Sequence, residues 1–347
     1  MPRKLKIFCC ALAFMALLGQ GDKVAAAVSH VILISVDGLR SDAITTLNWE
    51  AAPHLYIMMD EGASTLNART DTDRTNTLPN HTCMLTGRGV IGENGHGYTV
   101  NDDKPLTIHD LKGGYVSSIF NVLSPALKRS GVLASKSKFV IYPRSYGCRG
   151  LEGYPDYRYQ DAQLIDTCKI NDLDDEATVK AARQLLQKNT PSFLFIHLAG
   201  PDRVGHSQGW DITPGSAYHK EVQNQDQLVG QIMKAIQDNA ALANSTVIIL
   251  TSDHGGLGKD HQDVNEPKDF TIPFIVWGKA VASASDLYEL NLGNRQDPGD
   301  KQMPYSEKIQ PIRNGDAANL ALYLLGLPPI PGSTINAHQE LNVFPMN

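Results

Sequence analysis

The chain has 347 residues, five cysteines and a net charge of −6, with 42% hydrophobic and 20% charged residues. The hydrophobic fraction is too high for a disordered chain, and the cysteines are too few for a small disulfide-built protein. The acidic balance argues against a protein that coats nucleic acid, so no stable nucleic-acid binding is expected. The length allows one large α/β domain or two smaller ones.

The first 27 residues have the pattern of a secretory signal peptide. Arg3, Lys4 and Lys6 precede an apolar run at residues 7–19, and small residues at 25–27 suit cleavage near Ala27. The alternative is a membrane anchor, but the run is shorter than the ~20 residues that span a bilayer. The sequence therefore predicts a signal peptide at 1–27 and a secreted or periplasmic domain at 28–347, with no membrane span after cleavage.

Three cysteines remain after this cleavage, namely Cys83, Cys148 and Cys168. In an oxidising compartment Cys148 and Cys168 could pair and leave Cys83 free. Three cysteines allow three pairings, and the sequence leaves all of them open.

Strand-like and helix-like segments alternate along this predicted domain. Continuous apolar runs indicate buried strands at residues 31–36, 193–198, 247–250 and 272–277. Amphipathic patterns and cap residues indicate helices at residues 53–61, 175–188, 214–238 and 316–325. This alternation predicts an α/β fold, with a mostly parallel central sheet covered by helices on both faces, in a single domain.

Three of the predicted strands are followed by acidic residues and histidines. In open parallel sheets, ligand sites form beyond the carboxyl ends of the strands. A single aspartate there is commonly a cap residue and a single histidine is commonly structural, but six residues at one edge indicate a shared site. They are Asp37, Asp202, His206, Asp253, His254 and His261.

Six such ligands suit a site for two metal ions. Imidazole together with carboxylate favours zinc or a similar transition ion, whereas calcium and magnesium prefer oxygen ligands alone. Two ions roughly 3.5–4 Å apart can stabilise both the attacking and the leaving oxygen of a phosphoryl displacement.

Thr77 is the candidate nucleophile for such a reaction. Pro79 suits the first turn of a helix, which would leave Thr77 just before the helix N-terminus. Unpaired amides at a helix N-terminus attract an anionic phosphate, and a nearby metal lowers the pKa of a hydroxyl. A plain capping role is the alternative for Thr77.

Taken in order, these motifs resemble the alkaline phosphatase superfamily. The matching residues are Asp37, Thr77 to His81, Asp202 to His206, Asp253 to Gly255, and His261. The nearest branch is that of the nucleotide pyrophosphatases/phosphodiesterases, and the resemblance runs from about Val31 to Trp277.

The resemblance implies two zinc sites and a covalent intermediate. Asp202, His206 and His261 would hold one ion. Asp37, Asp253 and His254 would hold the other, to which Thr77 would also bind. Thr77 would attack phosphorus and form a phospho-threonine intermediate, and the amide of Asn101 would donate to a phosphate oxygen.

The residue after Thr77 bears on the substrate. Nucleotide-preferring relatives often carry an aromatic residue there, whereas this chain has Leu78. The expected partner is therefore a small phosphodiester, either a nucleotide or a compound with a lipid-like headgroup. Tyrosines in the loop region could supply stacking instead, and they are Tyr142, Tyr146, Tyr154, Tyr157 and Tyr159. The oligomeric state is not predicted.

Three other functions compete with that of a phosphodiesterase. A sulfatase would need a cysteine or serine where this chain has Thr77, and Cys83 is out of register. A phosphomonoesterase would need extra positive groups; no cluster stands out, although Lys136, Lys138 and Arg144 lie in the right region. A non-catalytic metal-bound module is disfavoured because every expected ligand is present.

Overall fold

The structure is a computed structural model, and it describes residues 28–149 and 163–346. The predicted signal peptide and Tyr154, Tyr157 and Tyr159 lie outside these residues. The strands are β1 (His30–Val36), β2 (Ala63–Arg69), β3 (Ser130–Ala134), β4 (Thr167–Ile170), β5 (Phe193–Leu198), β6 (Thr246–Thr251), β7 (Thr271–Gly278) and β8 (Ser285–Asp286).

Helices of very different lengths connect these strands. They are α1 (Ser41–Thr46), α2 (Pro53–Asp60), α3 (Thr77–Thr86), α4 (Ile108–Lys112), α5 (Ile119–Leu123), α6 (Ile141–Tyr146), α7 (Asp175–Lys188), α8 (Gly200–Gln208), α9 (Ala217–Gln237), α10 (Ala240–Ala243), α11 (Pro267–Phe270), α12 (Leu287–Leu290) and α13 (Asp316–Leu324). Among the described residues, no helix combines the length and the apolar character that a membrane crossing requires.

A single sheet of eight strands forms the centre of the described residues, in the order β4-β3-β5-β1-β6-β7-β2-β8. The five strands from β4 to β6 are parallel, whereas β7 runs antiparallel to both β6 and β2. The predicted fold class, an α/β fold with a mostly parallel sheet, is therefore confirmed.

Helices cover both faces of this sheet, as the alternation of segments predicts. One hydrophobic core includes Met84 and Leu85 of α3 and Leu320 of α13. The other includes Val179 of α7 and Val229 of α9. The apolar side chains of β1 divide between the two cores, which explains why residues 31–34 and 36 are all apolar.

The ends of the longest helix differ from the prediction. Residues 214–238 are predicted as helical, but α9 begins at Ala217 because Ser216 caps it by accepting a hydrogen bond from His219 N. Gly215 has a φ of 86° and belongs to the preceding turn. The predicted helices at 53–61, 175–188 and 316–325 agree with the structure to within one residue.

The structure joins Cys148 to Cys168 in a disulfide and leaves Cys83 as a buried free thiol. This is the pairing named above as possible, among the three that the sequence leaves open. The disulfide connects the segment after α6 to the edge strand β4.

Candidate metal centre and nucleophile

The candidate site lies at the carboxyl ends of three neighbouring strands. β1 pairs in parallel with β5 on one side and with β6 on the other, so their last residues lie at one edge. Asp37 follows β1, Asp202 lies in the first turn of α8 after β5, and Asp253 and His254 follow β6. The structure therefore brings these residues to one edge of the sheet, as the sequence predicts.

Gly38 allows the end of β1 to approach α8 closely. Its φ is +72°, and a Cβ at this position would lie 2.9 Å from the Cα of Asp202. A side chain would therefore be strained by the backbone conformation and would also push Asp202 away. The Gly38 N–H donates to Oδ1 of Asp253 over 3.1 Å, so the same backbone unit positions two of the predicted ligands.

The six predicted ligands form two groups of three. In the first group, ligand atoms of Asp202, His206 and His261 lie within 4.8 Å of one another, and the same holds for the second group, Asp37, Asp253 and His254. The groups adjoin each other, because Nε2 of His254 lies 3.7 Å from Oδ1 of Asp202. The grouping matches the one that the family resemblance implies.

Hydrogen bonds orient the three histidines of these groups. Nδ1 of each ring donates to a backbone carbonyl: His206 to Lys259 (3.1 Å), His254 to Gly255 (2.8 Å) and His261 to Thr75 (2.7 Å). A carbonyl oxygen can only accept, so the proton of each neutral ring is on Nδ1. Nε2 of each ring therefore presents a lone pair that can bind a metal ion.

Several buried polar atoms at the centre have no hydrogen-bond partner among the described residues. They are Oδ1 of Asp37, Oδ1 of Asp202, Oδ2 of Asp253 and Nε2 of His254. Burying such atoms without a partner is costly, and a coordinated cation would remove that cost. The mixture of nitrogen and oxygen donors fits zinc or a similar transition ion.

Charges around the centre shift its protonation equilibria in different directions. Burial opposes ionisation of Asp37, but Lys136 and a hydrogen bond from His197 hold the pKa of Asp37 well below its usual value. Burial and the charge of Asp37 raise the pKa of Asp253 well above its usual value. Burial, together with His261, lowers the pKa of His254 to about 3, so this ring is neutral at physiological pH.

Thr77 is the first residue of α3, and Asn76 is its N-cap. Pro79 lies in the first turn of this helix, as predicted, but the helix begins at Thr77 itself, so the expectation that Thr77 precedes the helix is wrong by one position. Thr77 is only 1% exposed. The next turn of the helix links it to the metal ligands: Nδ1 of His81 lies 2.8 Å from the Thr77 carbonyl oxygen and 3.5 Å from Oδ2 of Asp253.

Asn101 lies at the N-terminus of α3, beside Thr77. Its Oδ1 accepts hydrogen bonds from the Leu78 N–H (3.0 Å) and from Nζ of Lys138 (3.2 Å). Because its carbonyl oxygen is engaged in this way, the NH2 group is the part of the side chain that could donate to a ligand.

Two lysines lie at the site, although the sequence shows no evident positive cluster. Nζ of Lys136 lies 2.7 Å from Oδ2 of Asp37 and 2.6 Å from Oδ2 of Asp202, and Lys138 contacts Asn101. Burial and the charge of Lys136 lower the pKa of Lys138 to about 8. Arg144 pairs instead with Asp103, on the outer side of this region.

The aromatic and apolar residues considered for base recognition are mostly structural. Leu78 is fully buried in the hydrophobic core, and so are Tyr142 and Tyr146. None of these three side chains is therefore available to stack on a substrate. Tyr154, Tyr157 and Tyr159 lie outside the described residues.

His197 is a functional candidate that the sequence reasoning missed. It lies in β5 among apolar residues, and its Nε2 is 2.8 Å from Oδ2 of Asp37. Its ring is fully buried and packs against Phe139 at a centroid distance of 3.9 Å. The available signal was a histidine inside an otherwise apolar strand, one residue before the strand ends.

Comparison with known proteins agrees with this geometry. Residues 31–314 match the family model described as type I phosphodiesterase / nucleotide pyrophosphatase. Murine ectonucleotide pyrophosphatase/phosphodiesterase 5 has a similar fold, with a TM-score of 0.60 and 16% identity over 90% of this chain and 100% of that one. The C-terminal periplasmic domain of EptC from Escherichia coli is also similar, with a TM-score of 0.55 and 13% identity over 94% and 89% of the two chains.

A curated relative matches a shorter stretch. The 2,3-bisphosphoglycerate-independent phosphoglycerate mutase of Gracilaria tenuistipitata var. liui is 32% identical over 127 residues, which are 34% of this chain and 23% of that enzyme. The chain thus spans about a quarter of that enzyme's length. The family model covers most of the chain, and we conclude that the protein belongs to the type I phosphodiesterase / nucleotide pyrophosphatase family.

Proposed function

We propose that this protein is an exported two-metal hydrolase that cleaves phosphodiester or pyrophosphate bonds through Thr77. The observation that carries the proposal is the pair of three-residue ligand groups at the N-terminal end of α3. The segment around Thr77 contacts both groups, because His261 donates to the Thr75 carbonyl oxygen and His81 lies beside Asp253. The proposed nucleophile, the N-terminal end of its helix and the two ligand groups therefore adjoin one another.

The two groups would each hold one zinc ion. Asp202, His206 and His261 would bind one, and Asp37, Asp253 and His254 would bind the other, with Thr77 as a further ligand of the second. When bound, the ions would supply Lewis acidity, which neutralises charge on phosphoryl oxygens and lowers the pKa of a nearby hydroxyl. The buried, unpartnered oxygens of Asp37, Asp202 and Asp253 support this assignment.

Thr77 would act as the nucleophile in a two-step displacement. Its Oγ1 would lose its proton to solvent and form a bond to phosphorus, while the bond between phosphorus and the leaving oxygen breaks and the leaving oxygen takes up a proton from solvent. Water then attacks the phospho-threonine ester, which releases the second product and restores the hydroxyl. The position of Thr77 at the first residue of a ten-residue helix supports this role, because the N-terminal amides favour an anionic phosphate.

Asn101 would stabilise the charge that develops on the phosphate. Its NH2 group would donate to a nonbridging oxygen, and its Oδ1 is held by Leu78 N and Lys138. A donor fixed in advance costs little reorganisation when the charge develops.

The substrate would be a small phosphodiester, with a nucleotide or a lipid-like headgroup as its recognised part. The similar fold of murine ectonucleotide pyrophosphatase/phosphodiesterase 5, whose inactive form was solved in complex with AMP, supports the nucleotide class. The buried position of Leu78 removes the side chain after Thr77 from base recognition. An exported location rests on the signal-peptide pattern of residues 1–27 and agrees with the periplasmic EptC domain of similar fold.

A second candidate function is phosphomonoester hydrolysis. A monoester carries an additional negative charge, and Lys138 places an ammonium group 3.2 Å from Oδ1 of Asn101. This observation gives the monoester reaction more support than the sequence alone provides, because it brings a positive group to the residue proposed to bind the phosphate.

Hydrolysis of three matched esters tests the proposal. The purified protein would be assayed on a chromogenic phosphodiester, the corresponding phosphomonoester and the sulfate ester, before and after chelation and zinc restoration. We expect the diester to be cleaved fastest, chelation to abolish activity and zinc to restore it. Faster cleavage of the monoester would favour the second candidate, and activity unaffected by chelation would contradict the metal-dependent mechanism. Two bound metals without any hydrolysis would indicate a binding module instead.

A further inference from the structure

The motif at residues 77–81 contains a histidine to which the proposed chemistry assigns no role. His81 follows Thr77 by four residues in α3, and this spacing places the two side chains on the same face of the helix, one turn apart. The side chain of His81 is fully buried, so it does not contact a substrate directly. Any effect of His81 on the reaction therefore acts through the groups that its ring contacts.

Both nitrogens of the His81 ring make hydrogen bonds inside the protein. Nδ1 lies 2.8 Å from the Thr77 carbonyl oxygen, and Nε2 lies 2.7 Å from Oγ of Ser35. Because a carbonyl oxygen can only accept, the neutral ring carries its proton on Nδ1, and the Ser35 hydroxyl donates to Nε2. The hydrogen bonds therefore run from Ser35 through His81 to the backbone of Thr77.

Ser35 belongs to the strand that leads to a predicted metal ligand. It lies in β1 two residues before Asp37, and its side chain is fully buried among apolar neighbours in the sequence. A buried hydroxyl is costly without a partner, and His81 supplies the acceptor. Nδ1 of His81 also lies 3.5 Å from Oδ2 of Asp253. The ring thus connects the first residue of α3 to the side of the site that carries the second ligand group.

Aromatic side chains hold the His81 ring in place. Its centroid lies 4.8 Å from that of Phe139 and 5.0 Å from that of His197, and both contacts are edge-to-face. His197 in turn hydrogen-bonds to Asp37. A shift of α3 relative to β1 would therefore break hydrogen bonds between buried groups, which is costly.

We propose that His81, held by Ser35, is a positioning residue that fixes Thr77 relative to the second ligand group. This inference rests on the proposed function, in which Thr77 is the nucleophile. A displacement of about 1 Å in a reacting group can cost on the order of a hundredfold in rate. Binding of the substrate through its other contacts is affected much less. Loss of the His81 hydrogen bonds should therefore lower kcat rather than raise KM.

Four variants of the full chain separate positioning from packing. His81→Phe keeps an aromatic ring and removes both hydrogen bonds, whereas His81→Asn keeps an N–H donor for the Thr77 carbonyl oxygen. Ser35→Ala removes only the hydroxyl that holds the ring. Ser130→Ala is the matched control, because Ser130 is also a buried strand serine but lies at the first residue of β3, where its hydroxyl donates to the Leu164 carbonyl oxygen.

The zinc-loaded variants would be compared in steady-state hydrolysis of a chromogenic phosphodiester, together with their zinc content and Tm. We expect kcat to fall at least about tenfold in His81→Phe and about threefold in Ser35→Ala, with KM within about twofold of the unaltered value. Both variants should retain two zinc ions. His81→Asn should have a kcat at least about threefold above that of His81→Phe, and Ser130→Ala should be unchanged.

Unchanged kcat in both His81→Phe and Ser35→Ala, equal losses in His81→Phe and His81→Asn, or a loss of zinc in proportion to the loss of activity would each overturn the positioning role. If His81→Phe does not fold, the comparison of Ser35→Ala with Ser130→Ala decides the question. Thr77→Ala distinguishes this failure from failure of the proposed function. If Thr77→Ala is inactive while His81→Phe and Ser35→Ala are fully active, only the positioning role is wrong. Wild-type activity in Thr77→Ala would contradict the proposed function and the positioning role together.

Discussion

The imidazole of His197 hydrogen-bonds to the carboxylate of Asp37, with 2.8 Å between Nε2 and Oδ2. The Ser135 N–H lies 3.3 Å from Nδ1 of the same ring, so Nδ1 accepts and Nε2 carries the proton. Both side chains are fully buried. His197 therefore acts as a fixed donor that orients Asp37, while Oδ1 of Asp37 faces the ring of His254 at 3.5 Å.

Removing this donor should weaken metal binding. We expect His197→Leu to lower zinc affinity by about 10–100-fold, since residues that orient metal ligands typically have effects of this size. His197→Gln keeps a donor and should lose less. Competition with a fluorescent chelator measures the affinity directly. His30→Gln is the control, because His30 is the first residue of β1 and lies at the opposite end of that strand from Asp37. Equal zinc affinity in His197→Leu and the unaltered protein would contradict the positioning role.

Each ligand group should hold its own ion. We expect elemental analysis to find two zinc ions per chain in the unaltered protein, and about one in either Asp202→Asn or Asp253→Asn, because each change removes a charged ligand from one group only. Asp211→Asn, at an exposed aspartate outside both groups, should keep two. Two tightly bound zinc ions in both ligand variants would contradict the division into two sites.

Lys138 should discriminate between monoesters and diesters. We expect Lys138→Met to lower kcat/KM for a chromogenic phosphomonoester at least about tenfold and to change the diester value much less, because the monoester carries the additional charge. Lys234→Met, whose side chain is 74% exposed, is the control. Equal losses for the two substrates would assign Lys138 a structural role rather than a role in specificity.

The same lysine predicts a pH dependence. The pKa of Lys138 is lowered to about 8 by burial and by Lys136. The side chain is charged below this pH and becomes neutral as the pH rises through it. The ratio of monoester to diester kcat/KM should therefore fall through about pH 8, and Lys138→Met should abolish the fall. A ratio that is constant across this range would contradict the prediction.

How far the sequence predicts this architecture depends on the environment of each element. β1, β5 and β6 are buried on both faces and have mostly apolar sequences, so their positions and the residues that follow them could be predicted. β2 (Ala63–Arg69) has no such pattern, because it is partly buried and its register shifts between Thr65 and Ala68. β7 runs antiparallel to β6, and the sequence of a strand does not reveal its direction relative to its neighbours.

Some residues of the candidate site could be predicted from the sequence and others could not. Residues directly after the strands are brought together by parallel pairing, which is why the six ligand residues could be grouped. Lys136 and His197 reach the site through tertiary contacts: Lys136 follows β3 and bridges Asp37 to Asp202, while His197 points from inside β5. Their residue types have common structural roles, and only the packing reveals what they contact.

The buried carboxyl group of Asp269 predicts a pH dependence of stability. Burial, opposed by a hydrogen bond from Asp263 N, raises the pKa of Asp269 from 3.8 to about 7. The folded state thus retains a proton that the unfolded state loses, and stability decreases as the pH rises between these values. We expect the Tm of the unaltered protein to fall, relative to that of Asp269→Asn, between about pH 4 and about pH 7. Asp238→Asn is an exposed control. A Tm difference independent of pH would contradict this assignment.

Direct detection of the covalent intermediate on Thr77 tests the central claim. The zinc-loaded protein would be mixed with a chromogenic phosphodiester, quenched in acid and digested, and its peptides would be analysed by mass spectrometry. We predict that Thr77 carries the phosphoryl group still esterified to the substituent that does not leave, that this adduct is absent in Thr77→Ala, and that hydrolysis falls at least about a thousandfold in that variant. Wild-type turnover by Thr77→Ala, or a modification on another residue during turnover, would contradict the account.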